Sequence, residues 1–162
     1  MDNSFSLVSY LMSIVYRIVL KKWADKLVAS GSAARWNSDG KFVLYTASTR
    51  SLACLENVVH RSAEGLSMAF KTLLIELPKS AKIQEIEINS LPSDWYSFSN
   101  YHLCQSIGDE WYDARQSLVL SVPSAIIKEE KNYIINTQHP DFVKVKLVGV
   151  EDFLFDTRIK NS

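Results

Sequence analysis

The stretch SAARWNSDGKFVLYTASTRSLACLENVVH, residues 32 to 60, contains the signals for a turn, a strand and a helix in succession. Asp39-Gly40 predicts a tight turn, because glycine adopts positive φ at little cost. The segment KFVLYTA, residues 41–47, predicts a strand. Thr49 is a favourable N-cap residue and predicts a helix that runs to about residue 63. This succession of elements is the starting point for the fold.

One carboxylate lies on the predicted apolar face of this helix. That face is a stripe with spacings of three, four and four residues, formed by Leu52, Leu55, Val59 and Ala63. Such a stripe is typical of contact with a core, and Glu56 projects between Leu52 and Val59. Because an unpaired buried carboxylate is costly, Glu56 must be paired, protonated or in contact with a cavity. Two hypotheses stay open: a structural ion pair with Arg35 or Arg17, or a catalytic group.

Short strands dominate the rest of the chain. Strands are predicted at 14–19, 71–78, 81–88, 117–123, within 132–142 and at 143–155, and helices at 21–29 and 106–116. The run 117–123 is almost continuously apolar, which is typical of a central buried strand. Because strands and helices do not alternate regularly, the mixture predicts an α+β fold. The absence of GxGxxG and GxxxxGK[ST] motifs excludes the standard dinucleotide and phosphate loops.

The composition indicates one globular domain. The chain has 162 residues and a mass of 18.4 kDa, with 47% hydrophobic residues, enough for a substantial core. Eighteen basic residues balance eighteen acidic ones, so the excess positive field of a non-specific nucleic-acid-binding protein is absent and no direct nucleic-acid partner is expected. Cys54 and Cys104 lack Cys/His clustering, which favours buried free thiols over zinc ligation, with one disulfide as the alternative.

The apolar segment FSLVSYLMSIVYRIVL, residues 5–20, raises the question of a targeting or membrane segment. Serines dilute it, Arg17 interrupts it, and it falls short of the ~20 apolar residues that a membrane span requires. We therefore expect a cytoplasmic protein with no membrane association. Residues 1–11 are predicted to be an extra N-terminal segment or a mis-assigned start, with Met12 as the alternative first residue and 12–162 as the domain.

Several other residues have both a structural and a functional interpretation. Arg35 lies in a loop of small residues, where a guanidinium can grip a phosphate or carboxylate at two points, or simply flank a turn. Tyr45 either packs in the core or stacks on a flat ring. Ser124 has no surrounding GxSxG motif, which argues against a serine nucleophile. No metal site is expected, because metal-ligand spacing is lacking among His60, His102 and His139.

Taken together, these stretches resemble the RES family, which is named for an Arg, a Glu and a Ser. The three residues correspond to Arg35 in ARWNSDG, Glu56 in ACLENVVH and Ser124 in VPSAII. Further similar stretches, in the same order along the chain, are Tyr16-Arg17, VLYTA, IGDEW, NYIINTQHPDF and FDTR. The resemblance extends from Met12 to Arg158, nearly the whole chain.

The resemblance implies a fold similar to that of ADP-ribosyltransferases, with a mixed β-sheet core and short flanking helices. Proteins of this family are toxins of bacterial toxin–antitoxin pairs that consume NAD+ and release nicotinamide. It implies NAD+ as a substrate, phosphate as a candidate co-substrate and no cofactor. The implied partner is an Xre-type helix-turn-helix antitoxin, with the toxin as a homodimer in a larger complex. Two alternatives stay open: transfer of ADP-ribose to a cellular protein, and an inactive antitoxin-binding module.

The resemblance also implies roles for individual residues. Breaking the N-glycosidic bond develops positive charge on the ribose, and Glu56 is the carboxylate expected to stabilise that charge. Arg35 is expected to hold a phosphate of NAD+ or the incoming phosphate, and Tyr45 to stack on the nicotinamide or its ribose. These three are the predicted catalytic residues. Ser124 is expected to hydrogen-bond on the nicotinamide side, and the further predicted NAD+-binding residues are Arg17, Trp36, Asn37 and Asn132.

Overall fold

The computed structural model describes residues 14–63 and 65–159. Its strands are β1 (Ile14–Leu20), β2 (Val43–Ala47), β3 (Phe70–Glu76), β4 (Ile83–Glu85), β5 (Val119–Pro123), β6 (Lys131–Asn136) and β7 (Lys146–Phe153). Its α-helices are α1 (Arg50–His60) and α2 (Tyr101–Ala114). Short 3-10 helices occur at Lys21–Trp23, Gly65–Ser67, Ile88–Ser90, Phe98–Asn100 and Pro140–Lys144.

The strands follow the order β4-β5-β6-β2-β1-β3-β7. The pair β4–β5 is parallel, whereas β5–β6, β1–β2, β1–β3 and β3–β7 are antiparallel. This mixed sheet with two α-helices confirms the predicted α+β class. The described part of the chain divides into two compact units: one within 1–27, 46–79 and 145–162, the other formed by 28–45 and 80–144.

The first unit contains β1, β3, β7 and α1. Strand β1 pairs with β3 along its whole length, and β3 pairs with β7 on its other side. The Thr49 hydroxyl accepts a hydrogen bond from the Leu52 amide at 3.1 Å and caps α1, which confirms the predicted N-cap. The Asn57 amide group donates to the Ile18 carbonyl at 3.4 Å, so α1 is tied to β1.

The second unit contains β4, β5, β6 and α2. All five residues of β5 are buried, and β5 has hydrogen-bonded neighbours on both sides, which confirms the prediction of a buried strand there. The core of the second unit contains Trp36, Trp95, Cys104, Trp111, Leu120, Val122 and Ile134. Trp111 donates its indole N–H to the Ser117 hydroxyl at 2.9 Å, so this polar atom is satisfied inside the core.

Helix α1 ends at His60 and not at about residue 63, and three further predicted elements also have different bounds. The predicted helix 21–29 is only the 3-10 helix Lys21–Trp23, because it lacks a side-chain cap and short helices are marginal. The predicted strand 81–88 shrinks to β4, an edge strand whose length is set by one partner. Helix α2 begins five residues before the predicted start at 106, since Cys104 extends its buried face by one turn.

Cys54 and Cys104 are free thiols as predicted, but only Cys104 is buried and Cys54 is partly exposed. The predicted extra segment 1–11 lies outside the described residues, and the division into 1–11 and 12–162 stays a prediction. Among the described residues, neither helix is long and apolar enough to cross a membrane.

Candidate active site

Arg35 lies at the tip of a tight turn in the second unit. The Ala34 and Asn37 backbones exchange two hydrogen bonds, of 2.9 Å and 3.3 Å, across Arg35 and Trp36, which is the arrangement of a β-turn. The loop is closed at its base by a hydrogen bond from the Gly40 amide to the Gly31 carbonyl, and both glycines have positive φ. The predicted Asp39-Gly40 turn is thus confirmed, and it projects Arg35 from a closed loop.

Tyr45 and Asn37 brace this turn from inside. The Tyr45 hydroxyl donates to Asn37 Oδ1 at 2.7 Å and accepts from the Trp36 amide at 3.0 Å. The Asn37 amide group donates to the carbonyls of Ser32 and Ser38 at 2.9 Å and 3.1 Å. Burial raises the pKa of Tyr45, so its hydroxyl stays protonated and able to donate. Both side chains, predicted to bind substrate, therefore also hold the loop; stacking of Tyr45 on NAD+ stays a prediction.

The Arg35 side chain lies against aromatic rings. Its Cζ is 5.1 Å from the Tyr101 ring centroid and 5.9 Å from that of Trp95, within the range of cation–π attraction. Its Nη1 is buried and has no hydrogen-bond partner among the described residues. A buried donor left unsatisfied costs about 1–3 kcal/mol. An anion that supplied an acceptor here would recover that cost, which is the chemistry expected of a phosphate or carboxylate binder.

Glu56 belongs to the first unit and lies on α1. Its side chain is 27% exposed, and Oε2 lies 4.0 Å from Nε2 of His60, one turn further along. The His60 side chain is itself 76% exposed, so this contact is a solvated one and contributes little to stability. Glu56 is therefore a carboxylate that reaches solvent, and its role in catalysis stays a prediction.

The prediction that the whole apolar stripe of α1 faces the core is wrong. Leu52 is fully buried, but Leu55 is 38% and Val59 50% exposed. The helix instead buries Leu52 with Ala53, so its inward side is rotated toward Ala53. Glu56, four residues after Leu52, lies on this inward side, yet it remains partly exposed. The reason is a tertiary one: the Asn57 hydrogen bond to β1 fixes the rotation of the helix.

Arg17 also belongs to the first unit. It lies on β1 opposite Leu73 of β3, and burial lowers the pKa of its guanidinium. Arginine retains its charge at neutral pH even so. Its predicted contact with NAD+ stays a prediction.

The remaining predicted binding residues lie in the second unit and have structural contacts. Trp36 is 3% exposed and its ring lies 6.0 Å from that of Trp95. Ser124 is fully buried, and its hydroxyl accepts from the amides of Ile126 and Ile127, each at 3.1 Å. It therefore shapes the turn after β5, as serine hydroxyls often do. Asn132 lies on β6, opposite Val122 of β5.

A model of the RES domain matches residues 14–156. The chain belongs to the RES domain family. It is 36% identical over 141 residues to the Prs ADP-ribosylating toxin of Sphingobium sp. (strain YBL2), covering 84% of this chain and 88% of that protein. It is also 36% identical over 152 residues to Toxin Res of Photorhabdus laumondii, covering 90% of this chain and 96% of the relative. The family match and these relatives confirm the resemblance to the RES family.

The fold of this RES domain also matches a solved structure. A chain of the M. tuberculosis MbcT–MbcA toxin–antitoxin complex superposes with a TM-score of 0.72, covering 88% of this chain and 84% of that one. The sequence identity is 16%, so this similarity shows the fold alone.

The structure of the RES domain groups some predicted site residues by unit. The second unit brings Arg35, Trp36, Asn37 and Tyr45 into one hydrogen-bonded loop. It also contains Ser124 and Asn132, whereas Arg17 and Glu56 belong to the first unit. Within 14–63 and 65–159, no cluster of three or more His, Cys, Asp or Glu side chains has the arrangement of a metal site.

Sequence reasoning missed the residues that contact Arg35 or the backbone of its turn. They are Trp95, Tyr101, Cys104, Gln105, Gly108 and Asp109, all in the second unit. Burial raises the pKa of the Cys104 thiol, and the nearby Arg35 guanidinium partly offsets that rise. One signal was available in the sequence: Gly108 lies inside a predicted helix, where glycine costs roughly 1 kcal/mol and usually has a packing reason.

Proposed function

We propose that this RES domain is the toxin of a toxin–antitoxin pair and acts by consuming NAD+. The observation that carries the proposal is the 36% identity, over 84% of this chain, to a protein named as an ADP-ribosylating toxin. ADP-ribosylation takes its ADP-ribosyl group from NAD+. A relative of this similarity and coverage supports NAD+ as the substrate of this chain as well.

The proposed reaction breaks the bond between the nicotinamide nitrogen and C1′ of the ribose. The bonding electron pair goes to the ring nitrogen, so nicotinamide leaves as a neutral molecule, and positive charge develops on the ribose. An oxygen of inorganic phosphate, or of water with loss of a proton, then bonds to C1′. The products are nicotinamide and either ADP-ribose phosphate or ADP-ribose, which accounts for every atom.

Glu56 is the proposed stabiliser of the developing positive charge. Its side chain is 27% exposed, so its carboxylate is accessible to a ligand. A fixed negative charge near an oxocarbenium-like centre lowers the barrier, because the attraction grows as the bond breaks. The amide of glutamine has the same shape without the charge, so Glu56→Gln tests this role directly.

Arg35 is the proposed phosphate-binding residue. Its Nη1 lacks a hydrogen-bond partner among the described residues, and the rings of Trp95 and Tyr101 lie close enough to restrict the guanidinium. Restriction before binding lowers the entropy that a ligand must remove, and a guanidinium matches phosphate oxygens at two points. The hydrogen bonds of Tyr45, Asn37 and Ser124 to nearby backbone and side-chain atoms support positioning roles for them beside any contact with NAD+.

A second candidate reaction differs only in the acceptor. The Sphingobium relative is named for ADP-ribosylation of Prs, which favours a protein nucleophile as the acceptor in this chain too. The bond broken and the charge on the ribose would be the same. The two reactions therefore share Glu56 and Arg35 and differ in whether label from NAD+ ends in a small molecule or in a protein.

The proposed partner is an antitoxin of the Xre-type helix-turn-helix class, with the toxin as a homodimer in the complex. The toxin relatives support an antitoxin partner, and the family resemblance implies its helix-turn-helix class and the homodimer. Since NAD+ is a cytoplasmic metabolite, we place the activity in the cytoplasm.

The deciding experiment incubates the purified full chain with NAD+ labelled in the adenylate moiety, with and without phosphate and with and without a cell extract. Nicotinamide release that requires phosphate supports the phosphorylase, release without it supports the hydrolase, and label on a protein supports the transferase. Glu56→Gln serves as the inactive control, and Arg35→Ala as a control with weakened binding of NAD+. Wild-type protein that releases no nicotinamide in any arm would contradict both enzymatic functions and leave the antitoxin-binding module.

A further inference from the structure

Three residues of α2 face the loop that carries Arg35. Gln105, Gly108 and Asp109 are spaced by three and one residues, so they share one face of the helix. Each of them contacts the backbone between Ala34 and Ser38. We call these three residues the clamp.

Gln105 binds both ends of the turn. Its Nε2 donates to the carbonyl of Ala34 at 3.0 Å and to that of Asn37 at 3.2 Å. These are the two residues whose backbones exchange hydrogen bonds across the turn. One amide group therefore fixes the spacing of the turn's ends relative to the helix.

Gly108 permits the closest approach. A Cβ atom placed on it would lie 1.7 Å from the carbonyl oxygen of Trp36, well inside van der Waals contact. Because that neighbour is backbone and not the end of a flexible side chain, no side chain fits there without movement of the turn. Glycine at this helical position is explained by the approach, which overrides its unfavourable helix propensity.

Asp109 holds the residue that follows the turn. Its Oδ1 accepts from the Ser38 amide at 2.9 Å, and its Oδ2 accepts from the Ser38 hydroxyl at 2.5 Å. Hydrogen bonds to an ionised acceptor are stronger than those between neutral groups. The turn is thereby anchored on the side opposite Ala34.

The same helix also carries a ring that lies against the Arg35 guanidinium. Tyr101, the first residue of α2, is one turn before Gln105, and its ring centroid is 5.1 Å from Arg35 Cζ. Helix α2 thus contacts both the backbone of the Arg35 turn and the Arg35 side chain. Functional side chains are positioned most precisely when they are held by such a regular element.

We infer that Gln105, Gly108 and Asp109 are positioning residues that set where the Arg35 guanidinium meets the phosphate of its substrate. The inference rests on the proposed function, in which Arg35 binds NAD+. A displaced Arg35 loses an interaction made with the bound substrate and with the transition state alike. Such a loss raises KM for NAD+ more than it lowers kcat.

The test is a double-mutant cycle on the full-length protein. Gln105→Ala removes both donors without adding a charge, and we expect KM for NAD+ to rise about tenfold with kcat changed less than about twofold. In an Arg35→Ala background, Gln105→Ala should change KM by less than about twofold, because the residue through which it acts is already gone. Asp109→Ala should behave in the same way, and Asp109→Asn, which keeps one acceptor, should have a smaller effect.

Glu110→Gln is the matched control, since Glu110 is an exposed residue of the same helix; it should leave KM unchanged. A Gln105→Ala variant that remains folded with unchanged KM would overturn the inference, and so would equal effects with and without Arg35. A general loss of stability would lower the melting temperature without this dependence on Arg35.

A second measurement does not depend on turnover. The ring of Tyr101 lies 5.1 Å from Arg35 Cζ, so we expect it to shift the NMR signal of the Arg35 Nε–H. Gln105→Ala should move this signal, and Glu110→Gln should not. If the wild-type protein leaves NAD+ intact, the proposed function fails, and this signal then decides the positioning role alone. An Arg35 signal that is unmoved in Gln105→Ala contradicts the inference.

Discussion

The Arg35 turn and the Glu56 segment of α1 lie 21 residues apart in one stretch, yet they belong to different compact units. The turn is bonded by Tyr45, Gln105 and Asp109. Glu56 is 27% exposed, and its contact with His60 is a solvated one of 4.0 Å. A cation that binds a ligand benefits from restriction before binding, whereas a carboxylate that acts on a developing charge must be accessible and charged. Changes in the turn should therefore cost stability and affinity, and changes at Glu56 should cost chemistry.

The largest expected effect is a loss of activity on substitution of Glu56. Glu56→Gln should lower the rate of nicotinamide release about 10²–10³-fold, because it removes the charge that stabilises the transition state. The free energy of unfolding should change far less than the activity does, because glutamine keeps the shape of the side chain. Activity assays and urea unfolding check the two parts, with Glu87→Gln at an exposed position as control. Unfolding of the variant with normal residual activity would instead identify a structural ion pair.

The next largest effect is a loss of stability when α2 is pushed away from the Arg35 turn. Gly108→Ala should destabilise the protein by about 1–3 kcal/mol, because the added methyl group displaces the Trp36 backbone. Gly149→Ala is the matched control, since its added Cβ would make ordinary contacts of 3.4 Å or more with Leu74. Urea unfolding of both variants checks the difference. Equal stabilities would show that the approach of α2 to the turn is not restrictive.

Tyr45→Phe separates bracing from stacking. It keeps the ring but leaves the Trp36 amide and Asn37 Oδ1 without their partner, at an expected cost of about 2 kcal/mol in the free energy of unfolding. If stacking on NAD+ were the only role of Tyr45, stability would be unchanged. Chemical denaturation at neutral pH measures the difference.

The pH dependence of the stability difference between wild type and Tyr45→Phe tests the burial of the Tyr45 hydroxyl more directly. Burial raises the pKa of Tyr45 in the folded protein, whereas a tyrosine in the unfolded chain ionises near pH 10. Ionisation thus favours the unfolded state as the pH rises above about 10, and the contribution of Tyr45 is intact below it. At pH 11 the free energies of unfolding of wild type and Tyr45→Phe should differ by about 1.4 kcal/mol less than at pH 8. A constant difference from pH 8 to pH 11 would mean that the Tyr45 hydroxyl is not buried.

The smallest effect concerns the start of α1. Thr49→Ala removes the acceptor for the Leu52 amide and should destabilise the protein by about 1 kcal/mol. Thr49→Ser keeps the hydroxyl and should cost much less. Because the cap is two turns from Glu56, catalysis should be preserved in both variants. A large loss of activity in Thr49→Ala would mean that Glu56 is held more tightly than its exposure indicates.

The strands of the fold were predictable, and the helix faces were not. β1, β2, β3, β5, β6 and β7 all lie within predicted strands or extend them by one residue, because alternation and β-branched composition are local signals. The N-cap at Thr49 and the turn at Gly40 are local as well. In contrast, the exposure of Leu55 and Val59 depends on how α1 is rotated against β1, which helical spacing alone does not specify.

Some residues of the candidate site were predictable from local sequence, and others were not. Arg35 and Glu56 were identified from their residue types, their surroundings and the family resemblance. Gln105 and Asp109 were not, since each contacts the loop across 68 or 71 residues of chain. Their side chains look like ordinary helix-surface residues in the sequence. Only Gly108, a glycine within a helix, carried a local signal of close packing.

By itself, the sequence determined the membership of the RES domain family, the order of strands and turns, and the two charged residues proposed to act on NAD+. These properties reside in residue types and in spacings of a few residues, over which local conformation sets the geometry. The tertiary structure alone decided that Tyr45 and Asn37 brace the Arg35 turn, that α2 clamps it, and that Glu56 reaches solvent. Each of these depends on which surfaces meet when distant segments pack, and packing is settled by the whole core and not by any one stretch.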